Sequence, residues 1–384
     1  MRGESPGPSP ALTKKMIMHR HPLIIVALLL LTACSKDEVV STNSSKEEDI
    51  SFYVDADADI ITRSPSAFNT DKQFRVYAWD SENNPIIYKI PNYDNSNIVT
   101  YTASTASWGT AQRFFWPDDK TKSVTFYAFY PTDADFNTNT KTIDYTTPDG
   151  GGEGMLYAKT TQTFNSSDMS PYHPVCINFR HPLCKVDFKA IITNPSLSVT
   201  INSIELGNVK TQGRFAFPSG STVEFSYDGE IKVALTPSTP ESYGSWSDIQ
   251  NPASRSIKMT TSEVVLNTTE SKQLAANDGY LAVLPQTLTP WDLTTDVGST
   301  SGSYLKIGCS IKMGTVDYSD NGYIYCPIGG DEWQMGMRYT YSLSFGGGYD
   351  SDGKTILGPL SLSATITPWT ETEVQRTDNE TIYR

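Results

Sequence analysis

From about residue 50 onward, apolar and polar residues alternate one for one in nearly every readable stretch of this chain. Phe74-Arg75-Val76-Tyr77-Ala78-Trp79, Val124-Thr125-Phe126-Tyr127-Ala128-Phe129-Tyr130 and Tyr339-Thr340-Tyr341-Ser342-Leu343-Ser344-Phe345 show the pattern. Successive side chains point to opposite sides only in an extended chain, so a period of two means strands with one face in a core. Turn clusters separate the runs: Pro117-Asp118-Asp119, Pro148-Asp149-Gly150-Gly151-Gly152, Ser319-Asp320-Asn321-Gly322 and Gly346-Gly347-Gly348. Helix-length stripes are few. The chain reads as all-β, and two half-buried sheets that must cover one another make a sandwich.

Composition agrees and narrows the function. Of 384 residues, 19% are charged and 11% aromatic, against roughly 25% charged in an average globular chain. That excludes a disordered chain, a coiled coil and a disulfide-dense mini-protein. Net charge is −13. No basic surface exists to hold a phosphate backbone, so nucleic acid is not expected as a partner.

The first 33 residues read as a signal peptide. Lys14, Lys15, His19 and Arg20 precede the apolar run Leu23 to Leu31, which is too short for the ~20 residues of a membrane span. Residues 1–11 fit no such signal, so Met16 or Met18 is a candidate start. Leu31-Thr32-Ala33-Cys34 resembles a bacterial lipobox, in which Cys34 becomes the acylated N-terminus. Cys34-Ser35-Lys36-Asp37-Glu38 is similar to the short acidic tag that exports Bacteroidetes lipoproteins to the cell surface. Removing residues 1–33 takes four basic groups from 30 and one acidic group from 43, leaving net −16. Attachment to the outer membrane then depends on acyl chains, not on charge. Residues 34–49 read as a tether. The polar stretch Ser166 to Pro174 is a candidate boundary between an N-terminal domain, 50–172, and a C-terminal domain, 173–370, with a tail over 371–384.

Two strands at opposite ends share one pattern. Ile50, Phe52, Val54, Ala56, Ala58 and Ile60 alternate with Ser51, Tyr53, Asp55, Asp57 and Asp59 over eleven residues, roughly 36 Å of extended chain. Leu360, Leu362, Ala364 and Ile366 alternate with Ser361, Ser363, Thr365 and Thr367. Either segment could fill one sheet-edge groove, its backbone supplying a hydrogen-bond ladder and one face filling pockets. After the first comes Ile61-Thr62-Arg63-Ser64-Pro65, where a lone Arg in a polar loop suits a trypsin-like protease cutting between Arg63 and Ser64. At ~1.5–3 kcal/mol per large apolar side chain, the vacated groove would be worth on the order of 10 kcal/mol to its next occupant. The same pattern also describes an ordinary edge strand followed by an ordinary loop.

The landmarks Thr62-Arg63, Phe74-Arg75-Val76-Tyr77-Ala78, Phe115-Trp116-Pro117, Asn178-Phe179-Arg180-His181-Pro182-Leu183-Cys184-Lys185-Val186, Leu284-Pro285-Gln286, Trp333 to Tyr341 and Ile366-Thr367-Pro368-Trp369 resemble, in order and spacing, a Bacteroidales fimbrillin. Fimbrillins are the subunits of the surface fimbriae sometimes called type V pili. The resemblance implies two transthyretin-like β-sandwich domains in tandem and export as a lipoprotein acylated at Cys34. It also implies cleavage after Arg63 and polymerisation with other fimbrial subunits, in which a neighbour's strand replaces residues 50–60, with 360–367 as candidate donor. Host protein or glycan would be the adhesion partner. The alternative is a non-polymerising surface lipoprotein that binds glycan or host.

No reaction chemistry emerges, and neither enzyme activity, cofactor nor metal is expected. Only His173 and His181 remain after the signal, and no nucleophile elbow, zinc pair or phosphate loop occurs. Asp55-x-Asp57-x-Asp59 lacks the Gly turn and later Glu of an EF-hand and reads as a solvated strand face. Trp79, Trp108, Trp246 and Trp291 could stack on sugars or belong to cores. Cys176 and Cys184 would be ~26 Å apart on one extended strand, beyond disulfide reach. Cys309 and Cys326 face each other only if their hairpin turns near residue 317–318, so unpaired buried thiols are the favoured reading.

Overall fold

The computed structural model describes residues 49–56, 68–150, 154–164, 174–221, 223–227, 231–235, 243–257, 259, 261–275, 279–330, 332–346, 348–349, 355–356 and 361–368. Every described element is a strand. The N-terminal half carries β1 (Ser51–Ala56), β2 (Phe74–Asp80), β3 (Pro85–Ile87), β4 (Ile98–Thr102) and β5 (Ser107–Thr110). It continues with β6 (Ser123–Tyr130), β7 (Asp135–Asn137), β8 (Thr142–Thr146), β9 (Leu156–Thr163) and β10 (Pro174–Phe179). Then come β11 (Cys184–Ile192), β12 (Leu197–Ala216), β13 (Val223–Tyr227), β14 (Ile231–Leu235), β15 (Ser245–Ser256), β16 (Val264–Leu266) and β17 (Lys272–Gln273). The chain ends with β18 (Leu281–Val283), β19 (Tyr304–Met313), β20 (Val316–Pro327), β21 (Met337–Phe345), β22 (Gly348–Tyr349), β23 (Thr355–Ile356) and β24 (Ser361–Pro368).

The first sheet runs β10-β1-β5-β4-β2-β6-β9, with β3 beside β2. Its two ends meet. Tyr157 of β9 donates its N–H to the Arg180 carbonyl at 3.0 Å, and Arg180, just past β10, returns the bond at 2.8 Å. The sheet therefore curls back on itself, which leaves few open strand edges. Inside lie Phe52, Phe74, Val76, Trp108, Phe126 and Phe179 with their neighbours. Phe179 meets the Phe74 ring edge-on at 5.1 Å, the geometry aromatic quadrupoles favour.

A second core lies between the sheet β17-β11-β21-β24, with β18 on β11, and the sheet β23-β22-β20-β19-β12-β8-β7, with β15 and β16 on β12. The twenty-residue β12 spans most of this arrangement. Its first part pairs with β19 and its last five residues with β8. Register shifts at Ile201/Ser203 and, against β15, at Leu206/Val209 move the buried set from Val199 and Ile201 to Ile204 and Leu206, then to Val209. Asn208, at φ 56°, sits at the second shift. Each bulge inserts a residue and reverses which parity faces the core.

The β7–β8 hairpin, from the N-terminal half, is thus hydrogen-bonded to a C-terminal strand. Tyr77, Phe129, Ile143, Tyr157, Leu183, Phe215 and Leu284 form a third core between the halves. The expected boundary at 172/173 lies outside the described residues.

One expected turn is elsewhere. Ser319-Asp320-Asn321-Gly322 lies within β20, and the hairpin turns at Gly314-Thr315, where Gly314 has φ 60° and Met313 pairs with Val316. The extra residues are absorbed by bulges between Cys309/Ile311 and Ile311/Lys312. Asn321 is left-handed there, φ 50°, and its N–H reaches Ser310 Oγ at 2.9 Å. Asn tolerates that conformation in a bulge as readily as in a turn.

Candidate functional site

The first strand is built into the closed sheet. β1 runs parallel to β10, in register from Ser51↔Pro174 to Ala56↔Phe179, and antiparallel to β5 through Phe52↔Trp108. At its start the Ile50 N–H donates to the Phe114 carbonyl at 2.9 Å. Arg113 grips the Asp49 carboxylate through Nε at 3.0 Å and Nη2 at 2.5 Å. Both side chains are exposed there, so the pair contributes little.

Expected inward positions behave as the alternation predicts where they are described. Ile50 and Phe52 are buried, Val54 packs against the same core from a half-buried position, and Tyr53 is exposed. The Phe52 ring stands edge-on to Phe74 and Phe126, at 6.2 and 6.4 Å. Burial of Ile50 and Phe52 alone is worth about 3–6 kcal/mol, below the figure reckoned from six side chains. The Ala56 side chain, Ala58, Ile60, Arg63, Ser64 and Cys34 lie outside the described residues.

Leu360 is also outside them. Residues 361–368 are the edge strand β24, paired antiparallel with β21 from Ser361↔Ser344 to Pro368↔Met337. Leu362 is buried in the C-terminal core and Ala364 packs against it. Ile366 is 38% exposed, whereas Thr367, on the opposite face, is buried. The expected inward set therefore ends at Ala364, and Ile366 does not join the C-terminal core.

β10 and β11 each carry a polar side chain buried in the fold, Asn178 and Asp187. Asn178 of β10 is fully buried, and among the described residues neither its Nδ2 nor its Oδ1 has a hydrogen-bond partner. On β11, Arg338 of β21 donates through Nε and Nη2 to Asp187 Oδ2, at 2.9 and 2.6 Å, with Asp187 buried. Lys185 stands in register with Arg338 and stacks its Nζ 3.9 Å above the Tyr280 ring. Burial, and then the Arg338 charge, lower the Lys185 pKa to about 8. Asn178, Lys185 and Asp187, set among Val, Ile and Phe, were the available sequence signal.

The remaining candidates are structural. Cys176, Cys184, Cys309 and Cys326 are buried free thiols. Cys309 faces Gly322 and Cys326 faces Leu305 because the hairpin turns early. Burial pushes Cys176, Cys309 and Cys326 up to about 12 and Cys184 well above its ordinary value. Trp108 and Trp291 are buried. Trp79 stacks beside Tyr77, with Lys141 over its face, and Trp246 donates Nε1–H to the Pro182 carbonyl at 2.6 Å. Among the described residues, no group of three or more His, Cys, Asp and Glu could hold a metal ion.

The arrangement is that of a strand seated on a backbone ladder along β10, with Phe52 packed in the core that Trp108, Phe74 and Phe126 share. A family model described as fimbrillin-like matches residues 62–369. No curated protein matches. Similar solved structures include a fimbrial protein from Bacteroides vulgatus, 15% identical, with 77% of this chain and 93% of that chain covered and a TM-score of 0.44. A Bacteroides ovatus structure described as a cell adhesion candidate is 14% identical, covers 85% of this chain and 99% of its own, and has a TM-score of 0.41. The fimbrial anchor protein Mfa2 from Porphyromonas gingivalis is 11% identical, with 82% and 97% covered and a TM-score of 0.34.

Proposed function

The chain belongs to the fimbrillin-like family, and on that footing we propose that it is a fimbrial subunit assembled by strand exchange at the β1 groove. The single observation that carries the reading is the position of β1, inserted between β10 and β5 with Ile50 and Phe52 in the core. A strand so placed cannot leave without opening both a hydrogen-bond ladder and an apolar slot, and the opened slot binds an equivalent strand for the same reasons. The family match begins at residue 62, so β1 lies ahead of it.

In this proposal, signal residues 1–33 are removed and Cys34 carries the acyl chains that hold the protein at the outer-membrane surface. A trypsin-like protease then cuts between Arg63 and Ser64. β1 departs with the tether, and a strand from a neighbouring subunit takes its place. Residues 360–367 are one candidate donor, although donating them means separating β24 from the eight β21 residues it pairs with. The assembled fimbrium supports adhesion to host protein or glycan, and the chain itself carries out no catalysis. The two halves are proposed to act as sandwich domains, 50–172 and 173–370.

Electron microscopy and sizing of the mature protein before and after limited trypsin treatment test the proposal. Cleavage after Arg63 is expected to convert monomers into multimers that survive mild detergent. Protein that is cut there and stays monomeric overturns it, leaving a surface lipoprotein that binds without polymerising.

A further inference from the structure

Asn178 is the penultimate residue of β10, in parallel register with Asp55 of β1. It shares a face with Cys176, opposite the core-facing Val175, Ile177 and Phe179. That second face is buried too, and the hairpin β13–β14 runs alongside β10. The buried carboxamide of Asn97, in the same half, is served. Asn97 donates Nδ2–H to the Val76 carbonyl at 2.9 Å and accepts from Arg75 Nη1 at 2.6 Å. The Cys176 N–H reaches Gln162 Oε1 at 2.8 Å. The Asn178 carboxamide, by contrast, has both ends unpaired among the described residues.

An unpaired buried amide has lost its water hydrogen bonds and gained none, whereas Val or Leu at the same place would carry no such cost. β10 has two flanks. On one it touches β9 through the Tyr157–Arg180 pair, and on the other it carries the strand in the β1 position along its whole length. The residue in register with Asn178 across that second flank belongs to whichever strand is present.

We infer that Asn178 selects the sequence and register of the strand that lies beside β10. The inference rests on the strand-replacement reading above. The preferred occupant is a strand of a second subunit that alternates apolar residues with hydroxyl or amide residues and sets one of the latter against Asn178. Such a side chain both donates and accepts, so it satisfies Nδ2 and Oδ1 together. A slip of one residue would set an apolar side chain against the carboxamide and turn the pocket-filling face away from the core. One buried Asn enforces register in coiled coils by the same penalty. Ser363, Thr365 and Thr367, set between Leu362, Ala364 and Ile366, show that a second copy of this chain contains a segment of the required kind.

The test uses the full chain nicked after Arg63 and fluorescent peptides of the sequence 50–60, carrying either Asp55→Thr or Asp55→Val. The nicked wild-type protein should take the Thr peptide about tenfold more tightly than the Val peptide. Asn178→Val should bring that ratio to about one or reverse it, while the uncut variant melts at or above the wild-type temperature. Asn178→Ser, which keeps a polar group, should retain the preference and guards against a misfolded Val variant. An unchanged ratio in Asn178→Val overturns the assignment of Asn178 and leaves strand replacement standing. Failure of both peptides to enter any nicked protein overturns strand replacement itself, and this inference with it.

Discussion

Phe52 faces Trp108 across the one register pair that joins β1 to β5, whereas all six residues of β1 pair with β10. The strand is therefore held by a continuous backbone ladder on one flank and, on the other, by the Phe52–Trp108 pair, the Ile50–Phe114 and Asp49–Phe115 backbone contacts at its start, and side-chain packing. Phe52→Ala removes the ring that meets both Phe74 and Phe126. The uncut chain should lose about 3–5 kcal/mol, read from urea unfolding. Ser51→Ala, whose side chain points away from that core, should change it by less than about 0.5 kcal/mol.

Thiol chemistry offers a reporter for the groove. The four buried cysteines have raised pKa values, so the uncut protein at pH 8 holds them as thiols. They should be silent to a disulfide reagent until denaturant is added. Cys176 lies on β10 in register with Tyr53. Loss of β1 should release one reactive thiol per chain, and Cys176→Ser should abolish that signal without affecting the other three.

Lys185 predicts a pH dependence whose sign follows from linkage. Its folded pKa is about 8 against 10.5 for the ordinary group. Between those values the unfolded chain holds a proton that the folded chain has released. Stability contributed by this residue therefore rises as pH goes from about 8 to about 10.5. Comparing unfolding of the wild type with Lys185→Met across that range should show the wild type gaining relative to the variant, while nearby tyrosines cancel in the difference.

Arg338 and Asp187 form a pair in which the carboxylate is almost wholly covered. Arg338→Met leaves that charge buried and unpaired, at a cost of about 3–5 kcal/mol. Changing both residues together, to Met and Leu, should restore most of the loss in a thermal melt, because the desolvation cost disappears with the charge.

On β24, burial decides which substitution matters. Leu362→Ala should destabilise the chain by about 2–4 kcal/mol, since Leu362 is buried in the C-terminal core. Ile366→Asp should cost under about 1 kcal/mol in the uncut monomer, because Ile366 is 38% exposed. Chemical denaturation of the two variants side by side checks the order, and a larger loss for Ile366→Asp would contradict it.

Strand character was legible residue by residue. Phe74 to Trp79, Val124 to Tyr130 and Tyr339 to Phe345 all lie within strands, and the inward faces of Ile50 and Phe52 follow from alternation alone. β12 was not legible, because its two bulges reverse the parity that a reader follows. The Asn321-Gly322 signal misplaced a turn because a left-handed Asn suits a bulge as well as a hairpin. Asn178 was visible only as a polar residue in an apolar strand.

Alternation is a local property, set by the way successive Cβ atoms leave an extended backbone, and so the one-dimensional chain contains it in full. Which strands become neighbours is settled by backbone N–H and C=O groups that nearly every residue possesses in identical form, and these carry no label. That is why β1 could be read as a strand with an apolar face, while its parallel seat on β10, over a hundred residues further along the chain, belongs to the folded molecule alone.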